Sequence, residues 1–188
     1  MVRTIVLGGG CFWCIEAVFQ KIKGVLKIEP GYSGGYIPNP TYEDVCSEDT
    51  GHAETVRLGY DSEEISLENI LDVFFSIHDP TTLNRQGVDI GTQYRSIILW
   101  TEPEQKKIIQ KYLIKIKKNF NNPIVTQVKK LNKFYPAESY HFDYYNRNKI
   151  QPYCQLIILP KIEKIEKCFS NSVKNFCKNN NIVGNSQM

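Results

Sequence analysis

At 188 residues, 41% of them hydrophobic and 12% aromatic, the chain can bury a sizeable core as one domain, which excludes a disordered or fibrous protein. No stretch is long and apolar enough to span a bilayer, and Met1 to Gly10 carries one basic residue on too short an apolar run for a secretory signal, so a cytoplasmic, non-membrane protein is expected. The net charge of +3 hides a division: residues 1–100 carry 7 Lys and Arg against 14 Asp and Glu, and residues 101–188 carry 16 against 6.

A basic half is one footprint of nucleic-acid binding. Here the lysines of 103–120 alternate with Ile and Leu as the polar face of an amphipathic helix, and no nucleic-acid module is recognisable, so no nucleic-acid partner is expected.

Val2 to Leu7 is rich in β-branched residues and ends at three glycines, which reads as a first strand. A helix is expected from Cys11 to about Lys23, because Ile15, Val18, Phe19 and Ile22 recur at helical spacing. Gly24 ends it. Val25 to Tyr32 reads as a second strand, and the turn-rich segment from Ser33 to Pro40 as a loop able to carry function. Ala53 to Tyr60 is a third strand. Ser66 then caps a helix with Leu67, Ile70, Leu71 and Phe74 on one face, stopping near His78-Asp79-Pro80. After a polar loop over 81–93, Tyr94 to Trp100 reads as a strand, 103–120 as a long helix and Pro123 to Leu131 as a further strand.

This order predicts an α+β two-layer sandwich, with helices on one face of a largely antiparallel or mixed sheet, close to the ferredoxin-like plan. Residues 1–160 form the expected catalytic domain. The Lys- and Asn-rich tail, 161–188, is expected to give one short amphipathic helix through Ile162, Ile165 and Phe169 and then to fray from Asn171.

The six cysteines are Cys11, Cys14, Cys46, Cys154, Cys168 and Cys177. In a chain of this length without an export signal they read as catalytic or redox thiols rather than as a disulfide framework. Cys11-x-x-Cys14 has no second ligand pair to complete a zinc site, so no metal is expected.

Cys11 stands where a strand-like run gives way to a helix. Unpaired N–H groups at a helix start carry partial positive charge and lower a thiol's pKa, so a reactive Cys11 is expected there. On the helical wheel Trp13 falls nearly opposite the buried face and needs another partner. From spacing alone two readings stand side by side: a reactive thiol with an aromatic binding partner, or an inert buried cysteine beside a tryptophan packed under a loop.

The segments GGGCFWCIEAVF, NPTYEDVCSEDTGHAE, IHDPTTLNRQG, DIGTQYRS and FYPAESYH, in this order and at these separations, resemble the peptide methionine sulfoxide reductase A family from about residue 3 to about residue 160. The resemblance implies an oxidoreductase, a peptide-methionine (S)-S-oxide reductase, that returns the S epimer of methionine sulfoxide, free or in proteins, to methionine and so repairs oxidised proteins.

By the same resemblance Cys11 is the nucleophile that becomes a sulfenic acid, and Phe12 and Trp13 form the pocket for the substrate methyl group. Glu54 is the acid and Tyr42 and Tyr94 are the phenolic donors at the sulfoxide oxygen, while Asp89 helps position the substrate. For Glu54 to act as an acid its pKa must be raised, and apolar neighbours such as Phe12 and Trp13 would raise it. Without the resemblance Glu54 reads as a solvated strand residue and both tyrosines as structural. His141 matches a position near the site with a supporting role, His78 closes a helix end, and His52 shapes the loop that holds Glu54.

A second thiol must condense with the Cys11 sulfenic acid before an external dithiol, thioredoxin in most of the family, reduces the disulfide. Cys154 in Gln151-Pro-Tyr-Cys154 matches a resolving position. Cys14, which stands where the commonest family pattern has glycine, lies one helical turn from Cys11 and is the other candidate. Cys46 is expected to pack beside the Tyr42 loop in a structural role. The expected enzyme is a monomer with no bound cofactor. Two competing readings remain: a general thiol–disulfide oxidoreductase built on Cys11-x-x-Cys14, and a non-catalytic module that binds methionine-rich or oxidised peptides through Phe12 and Trp13.

Overall fold

The computed structural model describes residues 1–169. A six-stranded mixed sheet is assembled from β1 (Val2–Gly8), β2 (Val25–Ser33), β3 (Ala53–Asp61), β6 (Ile97–Trp100), β7 (Gln127–Lys130) and β8 (Phe134–Pro136), in the order β7-β6-β1-β3-β2-β8. The pairs β1–β3, β1–β6, β2–β3 and β2–β8 run antiparallel, and β6–β7 runs parallel. Two very short strands, β4 (Arg85–Gln86) and β5 (Asp89–Ile90), make a separate hairpin within the expected polar loop.

The strand alternation decides which residues enter the main core. Ile5 and Leu7 of β1, Val56, Leu58 and Tyr60 of β3, Tyr32 of β2 and Ile98 of β6 face one side. There they meet α1 (Phe12–Phe19) and α3 (Leu67–Ile77), with α4 (Pro103–Ile116) behind. On the reverse side Val6, Ala53, Ile97 and Leu99 form a smaller cluster covered by Leu131 and Phe134. Glu54 shares the helix-facing side with Val56 and Leu58, so its carboxyl enters a dry interior.

Two differences from the expected elements bear on the site. The helix from Cys11 stops at Phe19 rather than near Lys23, leaving Lys21–Gly24 as a tight turn into β2. Tyr94 belongs to a 3-10 turn over Thr92–Tyr94, and the strand begins only at Ile97. The reason is local: Tyr94 N–H bonds back to Gly91, whose φ of +147° favours glycine. The Ser66 cap is present, its hydroxyl accepting the Asn69 N–H at 3.1 Å.

Besides the β4–β5 hairpin, α2 (Tyr42–Cys46), opened by a Thr41/Asp44 capping box, the strand β8 and α5 (Tyr144–Arg147) have no counterpart in the sequence reading. A π turn over Cys154–Ile158 leads into α6 (Leu159–Phe169), where Ile162 and Ile165 are buried against the main core. Asn171 and Cys177 lie outside the described residues. No helix among the described residues is long and apolar enough to cross a membrane.

Candidate active site

β1 delivers the chain to the site through Gly8, Gly9 and Gly10. A side chain at Gly8 would meet the Glu54 carbonyl at 2.7 Å, and Gly10 turns with φ of +86°. The Gly10 N–H then donates to the Tyr94 carbonyl at 3.0 Å, which ties the Thr92–Tyr94 turn to the start of α1. Cys11 follows as the residue capping α1, with no side-chain cap of its own.

The Cys11 and Cys14 side chains hydrogen-bond each other, and both are buried. The lowered thiol is Cys14, at about 7: the hydrogen bond from Cys11 is the main cause, opposed by burial and helped by Lys161 and Tyr153. Cys11 is pushed well up, first by burial, then by the bond it gives Cys14 and by the neighbouring Glu54. The helix start alone predicted a lowered Cys11. The Trp13 main-chain N–H does act in that direction, while burial and the contact with Cys14 act against it.

Glu54 is 1% exposed, and its carboxyl receives the Phe12 main-chain N–H at 3.0 Å. Burial drives its pKa up to about 8, so the group is largely protonated at neutral pH. Tyr42 and Tyr94 are pushed above the ordinary phenol range by burial and then by Glu54, which places both rings in the field of that carboxyl and keeps them as O–H donors. Glu54 also stands directly across the β2–β3 ladder from Tyr32.

Trp13 lies off the core face of α1, as the helical wheel predicts, and its partners are aromatic. Its ring stacks on Tyr144 with centroids 3.6 Å apart and planes 4° from parallel, and Tyr153 packs edge-on at 6.1 Å. The indole N–H donates to His141 Nδ1 at 3.2 Å. Phe12 is fully buried, with its ring centroid 4.9 Å from that of His141. Asp89 of β5 accepts the Tyr153 hydroxyl at 2.8 Å, and the same hydroxyl lies 3.9 Å from Cys14 Sγ.

The structure therefore gathers Cys11, Cys14, Phe12, Trp13, Glu54, Tyr42, Tyr94 and Asp89 into one linked set. Cys154, adjacent to Tyr153, is buried, and its thiol is pushed up by burial and by the nearby Cys14. Cys46 is an exposed thiol that hydrogen-bonds Tyr42 and feels Glu54, so the expectation that it packs beside Tyr42 holds for the contact although the residue is not buried. Cys11, Cys14, Cys46, Cys154 and Cys168 are all free.

The remaining histidines take structural places. His78 Nδ1 donates to the Phe74 carbonyl at 2.7 Å, its Nε2 lies 2.9 Å from the Ser96 hydroxyl, and the ring closes α3. His52 receives the Gly35 N–H at Nδ1 and reaches the Ile37 carbonyl with Nε2, pinning the 33–40 loop beside Glu54. Sequence reasoning missed Tyr144, Tyr153, Glu138 and Lys161. Glu138 and Tyr144 lie in or just after the FYPAESYH segment, where aromatic and acidic residues cluster, and Tyr153 lies in Gln151-Pro-Tyr-Cys154, read there only for its cysteine, while Lys161 carries no signal that separates it from other tail lysines.

Comparison with known proteins places these residues in context. The family model described as peptide methionine sulfoxide reductase matches residues 3–173. A protein of Saccharolobus solfataricus named peptide methionine sulfoxide reductase MsrA is 55% identical over 173 residues, covering 92% of this chain and 98% of the relative. The solved structure of reduced Mxr1 from Saccharomyces cerevisiae superposes with a TM-score of 0.78 at 34% identity, covering 82% of this chain and 90% of the other. Mxr1 in complex with Trx2 gives a TM-score of 0.55 at 26% identity, covering 71% of this chain and 79% of the other.

Proposed function

The chain belongs to the peptide methionine sulfoxide reductase family, and from that premise we propose that it reduces the S epimer of methionine sulfoxide, free or in proteins, with Cys11 as nucleophile. The observation that carries the assignment of roles is the convergence of a thiol pair, a protonated carboxyl and two phenols at the start of α1. A general disulfide oxidoreductase has no use for the last three.

Phe12 and Trp13 take the methyl group in an aromatic pocket, with Asp89 positioning the rest of the substrate. Sulfoxide is a poor electrophile until its oxygen is protonated or strongly hydrogen-bonded. Glu54 supplies the proton, and Tyr42 and Tyr94 donate to the same oxygen. The Cys11 thiol, its proton drawn toward Cys14, attacks the sulfoxide sulfur; the S–O oxygen is transferred to give a Cys11 sulfenic acid, and methionine leaves reduced by two electrons.

A second thiol then condenses with the sulfenic acid, releasing water and forming a disulfide. Local geometry favours Cys14, which is ionised near 7 and hydrogen-bonded to Cys11. The family resemblance favours Cys154, one residue beyond a side chain that already reaches Cys14. An external dithiol supplies the two electrons that close the cycle. The Mxr1–Trx2 complex supports thioredoxin in that role. The thiols carry all the electrons, so the cycle needs no bound cofactor.

We read β1, α1, β2, β3, α3 and β6, with sheet order β6-β1-β3-β2, as a ferredoxin-like core in a two-layer α+β sandwich. Residues 1–160 form the catalytic unit in this reading, with the following segment fastened to it by Ile162 and Ile165. A monomer in the reducing cytoplasm suits its free thiols.

The deciding experiment is one equivalent of methionine sulfoxide without reductant, followed by intact mass and peptide mapping. Stoichiometric methionine with a new Cys11–Cys14 or Cys11–Cys154 disulfide is expected, and its loss in Cys11→Ser. Methionine formed by Cys11→Ser at the wild-type rate rejects the nucleophile.

A further inference from the structure

We propose that Glu138 is a positioning residue that sets two sides of the substrate pocket at once, holding Tyr42 by its main chain and Trp13 through the tautomer of His141. The inference rests on the roles just given to Tyr42 and Trp13.

Glu138 follows β8 and precedes the 3-10 turn Ser139–His141. One carboxylate oxygen accepts the Tyr42 main-chain N–H at 2.8 Å, at the first residue of α2. The other accepts the Tyr32 hydroxyl at 2.7 Å, from the residue paired across the sheet with Glu54. That second oxygen also stands 3.7 Å from His141 Nε2, too far for a direct hydrogen bond but close enough for charge to orient the ring.

The His141 tautomer follows from its partners. An indole N–H only donates, so the Nδ1 that receives Trp13 must carry a lone pair. His141 is 1% exposed, and burial holds its pKa below the ordinary imidazole value, so the ring is neutral at pH 7 with its one proton on Nε2, on the Glu138 side. Nε2 has no hydrogen-bond partner of its own, so the nearby carboxylate is the charge that reinforces the tautomer the indole selects. Burial opposes ionisation of Glu138, but the Tyr32 hydroxyl and the Tyr42 N–H outweigh it and keep the carboxylate charged.

The consequence spreads because the imidazole lies between three pocket rings. Its centroid is 4.7 Å from Tyr42, 4.9 Å from Phe12 and 5.7 Å from Trp13. With the other tautomer the indole N–H faces a second N–H, and Trp13 loses its hydrogen bond to His141. Glu138 side-chain exposure is 34%, so its effect comes from these polar tethers rather than from filling the core.

Nitrogen-15 NMR of His141 in the wild-type enzyme tests the tautomer directly: the Nε2–H form is expected, and an Nδ1–H form overturns the proposal. In Glu138→Gln the neutral amide removes the charge at nearly constant size. A loss of about ten- to a hundredfold in kcat/KM is expected, as for a misplaced reacting group, together with a shift of the Trp13 indole N–H resonance. Wild-type kcat/KM with an unmoved indole resonance overturns it. Should the variant not fold, the wild-type tautomer still decides. Should the wild type fail to reduce methionine sulfoxide, the functional reading fails, while the tautomer and the indole resonance still report on the link from Glu138 to Trp13.

Discussion

The Phe12 main-chain N–H donates to the Glu54 carboxyl across 3.0 Å, which couples the helix start carrying Cys11 to a strand 42 residues further along the chain. This bond lowers the Glu54 pKa, yet burial prevails and leaves it at about 8. The protonated carboxyl is the form that gives a proton to the sulfoxide oxygen, so turnover is expected to fall as pH rises through about 8. Glu54→Gln keeps a polar partner for Phe12 but transfers no proton. It is expected to lose about a hundredfold or more in kcat and to lack the alkaline limb. A pH–rate profile checks this; an unchanged limb in the variant assigns that limb to another group.

The Cys11–Cys14 pair is expected to lose its first proton near 7, with the charge on Cys14. Cys14→Ser removes that ionisation, leaving the buried Cys11 to titrate at higher pH. Thiolate absorbance followed against pH measures the shift. A transition near 7 that survives in Cys14→Ser and disappears in Cys11→Ser returns the charge to Cys11.

Tyr42→Phe and Tyr94→Phe each remove a single O–H from the region of Glu54 while preserving the ring. Each is expected to cost about a hundredfold in kcat with a smaller change in KM, as for other donors aimed at developing charge. Loss confined to KM, seen in steady-state kinetics, makes the phenols binding groups for the ground state instead.

His78 gives a stability prediction. Burial lowers its pKa from 6.5 to about 4, so the folded state requires the neutral ring. Its stabilisation is complete above 6.5 and is lost as pH falls toward 4, amounting at most to about 3 to 4 kcal/mol at about 1.4 kcal/mol per pKa unit. Urea unfolding across that interval is expected to show a shallower pH slope in His78→Asn than in the wild type. Equal slopes assign the acid sensitivity elsewhere.

The strands and long helices were legible because period and caps agree locally: Ser66 caps α3, and Val2–Leu7 lies within β1. Short elements were not. The box at Thr41 and Asp44 opens only a five-residue helix, and β8 is three residues long, too little for a period to register. The place of Trp13 followed from the wheel, but its Tyr144 partner is supplied by tertiary structure 131 residues away. At Cys11 only one of two opposing influences is visible in sequence: the helix start is, whereas the burial that acts against it is created only when α1 packs on the sheet.

The Tyr153 hydroxyl takes up one oxygen of the Asp89 carboxylate, the group proposed to position substrate. A carboxylate accepts through both oxygens, so a ligand donor can share Asp89 with the Tyr153 hydroxyl or compete with it, and Asp89→Asn would disturb both partners together. Tyr153 is also the residue before Cys154. The carboxylate proposed to position substrate and a candidate resolving thiol are thereby both held to one tyrosine, the first by a hydrogen bond and the second by a single peptide bond.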